Sequence, residues 1–114
     1  MARIFSISYD IALLRSRELL LKRMGHSVTS ADGFVEAIEL CEKDPEEFDL
    51  IILGHSIPQE DKRTIITRCR RTRRCPILAL TLLHEPLVSE ADHSVDPSDT
   101  GAFLGTVQQL TNKR

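Results

Sequence analysis

Two uninterrupted apolar runs dominate the hydrophobic pattern of the chain. Leu50-Ile51-Ile52-Leu53 is followed by Gly54 and Pro58, and a similar run, Ile77-Leu78-Ala79-Leu80, follows Pro76. Runs this short are typical of strands, and continuous hydrophobicity without alternation indicates that both faces of the strand are buried. We therefore predict two central strands of a parallel sheet, at residues 50–53 and 76–81.

The rest of the chain alternates further strands with amphipathic helices. Strands are predicted at residues 3–8, 26–30 and 94–96. Helices are predicted at four places: before Gly25 with Leu13, Leu14, Leu20, Leu21 and Met24 on one face; from Phe34 to Cys41; from about Asp61 to Thr72; and after Pro97-Ser98-Asp99. Residues 82–92 contain Pro86 and leave room for only a turn or two of helix.

This alternation predicts an α/β fold in a single domain, residues 1–114. Parallel strands joined by right-handed helical crossovers form a sheet covered by helices on both faces, which is a three-layer α/β/α sandwich. The expected strand order is 2-1-3-4-5, with the fourth helix shortened or missing. In such sheets ligands bind beyond the carboxyl ends of the strands. Gly54 lies at that place, and it has no side chain.

Composition narrows the class of protein without naming a function. The chain has 41% hydrophobic and 28% charged residues and a net charge of -2, which is ordinary for a soluble globular protein and argues against a nucleic-acid binder. No apolar stretch approaches the length of a membrane span, so we expect a cytoplasmic protein. Cys41, Cys69 and Cys75 are odd in number and lack C-x-x-C spacing, which predicts reduced thiols and neither a disulfide framework nor a zinc site.

Several spaced features together resemble the receiver domain of bacterial two-component response regulators. Phe48-Asp49-Leu50-Ile51-Ile52-Leu53 with Pro58 and Asp61 is similar to the family's D-L-(apolar)3-D-x-x-x-P-x-x-D. Pro76 to Thr81 resembles its P-(apolar)4-T strand, Val95-Asp96-Pro97 resembles its V-K-P, and Leu21-x-x-x-Gly25-His26-x-Val28 matches its L-x-x-x-G-(Y/H)-x-V. The resemblance covers nearly the whole chain.

The resemblance implies a phosphorylation pocket that this chain has lost. An active receiver uses an Asp nucleophile, an acidic pair that holds Mg²⁺, a Thr or Ser, and a Lys that pairs with the phosphoryl group. In this chain Gly54 stands at the nucleophile position, and Ser8 and Tyr9, followed by Asp10, stand at the acidic pair. Thr81 stands at the Thr or Ser position, and Asp96 stands at the Lys position. Only Thr81 matches, so we expect no cofactor, weak or absent Mg²⁺ binding, no phosphate transfer and no enzymatic activity.

The usual output surface is also altered. Thr81 and Asp96 are closer in sequence than in family members, and His93 stands where the family has an aromatic switch residue. These departures put the family's standard dimer in question, although a homodimer of another kind stays open.

His55 lies beside Gly54 and could form a small-ligand pocket with Tyr9, Asp10, Thr81 and Asp96. Its acidic residues would favour a cation over an anion. The structural alternative is a degenerate pocket whose groups satisfy one another by hydrogen bonds.

An Arg-rich segment offers a candidate interaction surface. Its members are Arg68, Arg70, Arg71, Arg73 and Arg74. The structural interpretation is a solvated outer helix; the functional one is docking of an acidic partner or of a phosphate backbone, although no aromatic residues for base stacking lie among the arginines.

We therefore predict an atypical receiver that acts as a phosphorylation-independent protein-interaction module in bacterial two-component signalling. Its partner would be a histidine kinase or another regulator. Two alternatives are an active phosphorelay receiver phosphorylated at a non-standard residue, and binding of nucleic acid or an acidic partner through the Arg-rich helix.

Overall fold

The computed structural model of the chain describes residues 2–43, 48–72, 75–82, 85–87 and 89–112. Five strands and four helices alternate along these residues. In chain order they are β1 (Arg3–Ser8), α1 (Ile11–Arg23), β2 (Ser27–Asp32), α2 (Phe34–Lys43), β3 (Leu50–Leu53), α3 (Gln59–Thr72), β4 (Ile77–Leu80), β5 (His93–Val95) and α4 (Thr100–Thr111). The strands form one parallel sheet in the order β2-β1-β3-β4-β5. The predicted fold class and strand order are confirmed.

Each face of the sheet has its own hydrophobic core. On one face Phe5, Ile51 and Leu53 pack with residues of α2 and α3, and the Phe5 ring stacks on Phe48 at 4.9 Å. On the other face Leu50 and Ile52 pack with residues of α1 and α4. All four residues of β3 and all four of β4 are buried, as the continuous apolar runs predicted.

Some element boundaries differ from the predicted ones by one or two residues. β2 extends to Asp32 because residues 27–32 stay in register with β1, and Gly33, with a φ of 101°, ends it. α3 begins at Gln59, since the Pro58 carbonyl already accepts the Lys62 N–H at 2.9 Å. β5 ends at Val95, and the Asp96 carboxylate instead accepts the Ser98 N–H.

The connection from β4 to β5 contains no helix among its described residues, which confirms the predicted loss of the fourth helix. Within this connection the Glu85 N–H donates to the Leu82 carbonyl at 3.0 Å. The Glu85 carboxylate accepts the Leu82 N–H in return, also at 3.0 Å. These two bonds join Leu82 to Glu85, and no helix in the described part of the connection covers the ends of β4 and β5.

The prediction of reduced cysteines is wrong for two of the three. Cys41 of α2 and Cys69 of α3 form a disulfide, with their Cα atoms 5.2 Å apart and both residues buried. Both cysteines belong to the same hydrophobic core, and packing of α2 against α3 brings them together. The 28-residue separation gave no sign of this contact, because it depends on how two helices meet over the sheet.

No helix in the described part of the chain is long and apolar enough to cross a membrane.

Candidate functional site

The candidate site lies at the carboxyl edge of the sheet, where β1 and β3 end side by side. Gly54 follows β3 directly and is buried. Its N–H donates to the Ile7 carbonyl of β1 at 2.8 Å, and its carbonyl accepts the Ile57 N–H at 3.3 Å. These two bonds hold Gly54 firmly between the neighbouring strand and the loop that leads to α3.

The guanidinium of Arg17 occupies the space beside Gly54. A Cβ atom added to Gly54 would lie 3.0 Å from Nη1 of Arg17, 3.1 Å from Oγ of Ser8 and 3.2 Å from the carbonyl oxygen of Ile7. Arg17 reaches this place from the buried side of α1, where it lies between Leu14 and Leu21. The space beside the Gly54 backbone is thus filled by a cationic side chain of the same chain.

Arg17 is a buried charge without a direct counter-ion. It is only 7% exposed, and no carboxylate of the described residues lies within ion-pair distance of it. Burial lowers the pKa of Arg17, and the charge of Asp10 offsets this lowering only in part. Removing a charge from water without pairing it costs free energy, so Arg17 is held here by the packing around its side chain.

A small hydroxyl network closes the site on the side of β1. Ser8 Oγ lies 3.4 Å from Ser56 Oγ, and Ser56 Oγ accepts the Tyr9 N–H at 3.3 Å. Ser8 Oγ also accepts the Asp10 N–H at 3.1 Å. The network ties the end of β1 to the loop after β3, so both loops keep a fixed geometry.

The acidic residues near the site are already engaged. Asp10 Oδ1 accepts the N–H groups of Ala12 and Leu13, which makes Asp10 the N-cap of α1. Asp61 Oδ2 accepts the Tyr9 hydroxyl at 2.8 Å. Burial, followed by this hydrogen bond, raises the pKa of Tyr9, so Tyr9 stays a neutral donor.

We expect the residues beside Gly54 to bind a magnesium ion weakly or not at all. Mg²⁺ needs oxygen ligands with at least one or two carboxylates free to coordinate it. Here Asp10 caps a helix, Asp61 bonds Tyr9, and the Arg17 guanidinium would repel a divalent cation beside Gly54. Among the described residues no group of three or more His, Cys, Asp or Glu side chains could hold a metal ion.

The remaining residues of the predicted pocket lie on its other side, at the ends of β4 and β5. Thr81 is buried, and its hydroxyl has no hydrogen-bond partner among the described residues. Bonds from the Ser98 N–H and hydroxyl lower the pKa of Asp96, and the charge of His55 lowers it further. His55 and Asp96 are therefore near enough to interact through their charges, whereas Tyr9 bonds Ser56 and Asp61.

Two residues of the site were not predicted from the sequence. Arg17 is three residues after Leu14 and four before Leu21, so a charged residue on the apolar face of α1 was a usable signal. Ser56 gave no signal, because its role depends on the distance between two loops.

The Arg-rich helix is largely paired with its own chain. Arg68 lies 2.6 Å from Glu42, Arg70 lies 3.0 Å from Asp92, and Arg63 lies 3.4 Å from Glu90. Arg71 is exposed at the end of α3, and His93 is exposed on β5. Arg73 and Arg74 of the predicted surface lie outside the described residues.

We expect Asp92 to stabilise the fold in a pH-dependent way. Asp92 Oδ2 accepts the Ile77 N–H at 2.8 Å and pairs with Arg70. Burial raises the pKa of Asp92, but the Ile77 and Arg70 bonds outweigh burial and lower it overall. A carboxyl whose pKa is lower in the folded state stabilises the protein above its unfolded pKa and loses this effect as the pH falls. Asp92→Asn should destabilise by at most about 1 kcal/mol at pH 7 and by less as the pH approaches 3, as measured by urea unfolding. An equal loss at both pH values would contradict this.

Replacing Gly54 or Gly105 by alanine should change the stability of the protein in opposite directions. Gly54→Ala should lower the free energy of unfolding by about 1–2 kcal/mol, because the new Cβ meets the fixed Ile7 carbonyl at 3.2 Å. Gly105→Ala should raise it by up to about 1 kcal/mol, because Gly105 lies within α4 with nothing within 4 Å of the added Cβ. Chemical denaturation of both variants tests this; a gain at both positions would show that the space beside Gly54 is open.

Known proteins share this architecture. No family model matches the chain. The chain is 31% identical over 87 residues to the transcriptional regulatory protein AfsQ1 of Streptomyces coelicolor, and the aligned part covers 76% of this chain and 38% of that protein. The chain thus spans well under half the length of this relative.

Solved structures give the same picture at lower identity. A two-component response regulator from Clostridium difficile superposes with a TM-score of 0.82 at 22% identity, covering 99% of this chain and 98% of that one. The response regulator protein TrrA from Thermotoga maritima, solved in complex with Mg²⁺ and BeF, superposes with a TM-score of 0.75 at 23% identity, covering 96% and 99% of the two chains. The chain has the α/β fold of these response regulators.

Proposed function

We propose that this chain is a receiver domain of the two-component type that acts as a protein-interaction module without being phosphorylated. The observation that carries the proposal is the buried Arg17 guanidinium beside Gly54, 3.0 Å from where a Cβ would stand. The relative AfsQ1 and the superposed response regulators support a place in two-component signalling.

Three features together argue against phosphate acceptance. Gly54 offers no nucleophile for an acyl phosphate, the nearby carboxylates of Asp10 and Asp61 are engaged, and Asp96 would repel a phosphoryl group. We do not expect these residues to form a complex with Mg²⁺ and BeF like that of TrrA. A fixed site of this kind suits a domain that presents one constant surface to a histidine kinase or another regulator.

A phosphorylation assay tests this proposal. The protein is incubated with Mg²⁺ and acetyl phosphate, and its intact mass is then measured by native mass spectrometry. We expect no increase in mass from a phosphoryl group. A conventional receiver with an intact acceptor Asp, treated in parallel, shows that the reagent is active. Beryllofluoride added with Mg²⁺ should likewise leave the NMR spectrum of the protein unchanged.

A mass gain on the native protein would overturn the proposal. Mapping that gain to Ser56 or His55, both half-buried in the loop after β3, would favour a phosphorelay receiver with a non-standard acceptor. The third alternative, binding of nucleic acid or an acidic partner through α3, gains no support from Arg68 and Arg70, since both are paired with acidic residues of the chain. A salt-dependent gel shift that is lost in an Arg71→Gln variant would revive it.

A further inference from the structure

A groove of about 380 Å³ lies between α1 and the end of β2, the strand at the edge of the sheet. The residues of α1 that line it follow the spacing i, i+3, i+4, i+7 and i+8, so they form one stripe along about two turns of the helix. They are Ile11, Leu14, Arg15, Glu18 and Leu19. Neither Gly54 nor Arg17 lines the groove, so it is separate from the candidate site.

The groove is bordered by apolar side chains that are exposed to water. Ile11 is 44% exposed and Leu19 is 60% exposed, and the buried Leu14 lies between them in the stripe. The described residues include only two other exposed large apolar side chains, and one of these, Val35, directly precedes the lining residue Glu36 on α2. Single exposed apolar residues are common, whereas several around one groove point to a surface on which a partner packs.

Two carboxylates of the groove have no cationic partner. Asp32 and Glu36 line it, both are exposed, and neither forms an ion pair with a described residue. Glu36 Oε1 accepts the Asp32 N–H at 2.6 Å, so the Glu36 carboxylate is held against the end of β2. Its second oxygen and the Asp32 carboxylate accept no hydrogen bond from the described residues. These two charges are therefore available to a partner.

The third carboxylate of the groove is already compensated. Glu18 pairs with Lys22 at 2.7 Å and accepts the Ser30 hydroxyl at 2.8 Å, so both of its oxygens are engaged. Arg15, the one cation among the lining residues, acts on Glu18 through its charge and forms no ion pair with Asp32 or Glu36. The uncompensated charge of the groove is thus negative, and a complementary partner is basic.

We propose that this groove binds a basic amphipathic helix of a partner protein. The inference rests on the proposed role of the chain as an interaction module, and it adds where a partner docks and what chemistry it presents. The stripe on α1 offers apolar ridges at helical spacing, against which the apolar face of a partner helix packs. Asp32 and Glu36 then meet the Lys or Arg residues beside that face.

Other occupants fit the groove less well. An added strand would need β2 to supply most of the contact, but β2 contributes only Ser30 and Asp32 to the lining. A second copy of the chain could offer the basic helix α3, but Arg68 and Arg70 of that helix are paired with acidic residues of their own chain.

Peptide titrations of the isotope-labelled full chain, followed by NMR at constant ionic strength, test the proposal. The probe is an acetylated, amidated helical peptide of about 15 residues, with leucines spaced three and four residues apart and lysines beside them. One control peptide carries glutamate in place of each lysine, and another has the same composition with the leucines redistributed around the helix. We expect saturable shifts of the Ile11, Leu19 and Glu36 amides with the probe, and at least about tenfold weaker binding of both controls.

Matched variants separate recognition in the groove from general attraction. Leu19→Gln should weaken binding of the probe about three- to tenfold, because it removes an apolar contact and keeps the helix propensity of α1. Leu87→Gln should leave binding unchanged, since Leu87 is 69% exposed but does not line the groove. Glu36→Gln keeps the carbonyl oxygen that accepts the Asp32 N–H and should weaken binding about two- to fivefold. Glu60→Gln removes the same charge from an exposed position on α3 and should have no effect.

Several results would overturn the proposal. These are no saturable shift with the probe, equal binding of either control peptide, and equal weakening by the two members of either variant pair. A concentration-dependent dimer that Leu19→Gln abolishes, measured by sedimentation of the free protein, would also overturn it and would identify a second copy of the chain as the occupant. None of these results adds a phosphoryl group, so failure of this inference is distinct from the mass gain that would overturn the proposed function.

Discussion

Replacing Arg17 by Met is expected to stabilise the wild-type protein but to destabilise a Gly54→Asp variant. In the wild type the guanidinium is buried without a counter-ion, so an apolar side chain of similar length removes a desolvation cost. In Gly54→Asp the new carboxylate stands beside Nη1 of Arg17, and the two form a buried ion pair. Removing one partner of such a pair leaves an uncompensated charge.

The sizes of the two effects make the sign change measurable. We expect Arg17→Met to raise the free energy of unfolding by about 1–2 kcal/mol in the wild type and to lower it by about 3–5 kcal/mol in Gly54→Asp. The coupling energy of this double-mutant cycle is then several kcal/mol, far above the error of urea unfolding curves. Four proteins suffice: the wild type, the two single variants and the double variant.

Arg15 provides the matched control for the cycle. It lies on α1 two residues before Arg17 but is exposed. Arg15→Met should change stability by at most about 0.5 kcal/mol in both backgrounds, since surface changes of this kind have small effects. A loss of stability from Arg17→Met in the wild type would mean that the guanidinium is paired in solution. It would also remove the main support for the view that Arg17 fills the space beside Gly54. The phosphorylation assay would then decide the proposed function independently.

Reduction of the Cys41–Cys69 disulfide is expected to lower the stability of the protein strongly. The bond joins α2 to α3 across 28 residues of sequence, and a closed loop of this length restricts the unfolded chain by about 3–4 kcal/mol. For a domain of this size the loss corresponds to a fall in Tm of roughly 10–15 °C. Thermal unfolding followed by circular dichroism, with and without a strong reductant, measures it.

Two further measurements make the disulfide test specific. Before reduction, alkylation in denaturant should leave Cys41 and Cys69 unmodified. After reduction, it should modify all three cysteines. A Cys75→Ser variant should show the same fall in Tm on reduction, because Cys75 takes no part in this bond. Complete alkylation without reductant, or a Tm that reduction leaves unchanged, would show that the two cysteines stay reduced.

The missing side chain at Gly54 and the presence of Arg17 beside it have different consequences. The predicted loss of the acceptor is the reason that phosphate transfer is not expected, but a glycine alone would leave room for a small ligand. The buried Arg17 side chain removes that room.

The sequence alone determined the order of the sheet, and it predicted the loss of the acceptor group. Continuous apolar runs in β3 and β4 follow from burial on both faces of a strand, and this property is local, so it can be recognised without coordinates. The missing helix between Thr81 and Asp96 was likewise visible as a short spacing. Gly54 was recognisable as a vacancy because the position is fixed by counting from β3.

Only the tertiary structure decided what surrounds that vacancy. Arg17, Ser8 and Ser56 come from α1, the end of β1 and the loop after β3, and their distances depend on how these elements pack. The Cys41–Cys69 bond and the Arg68 and Arg70 ion pairs likewise join elements that are far apart in sequence. Periodicity reports which face of a helix is buried, but it does not report which residues of another element meet that face. For this reason the sequence predicted a site without an acceptor, and the structure added that its own arginine fills it.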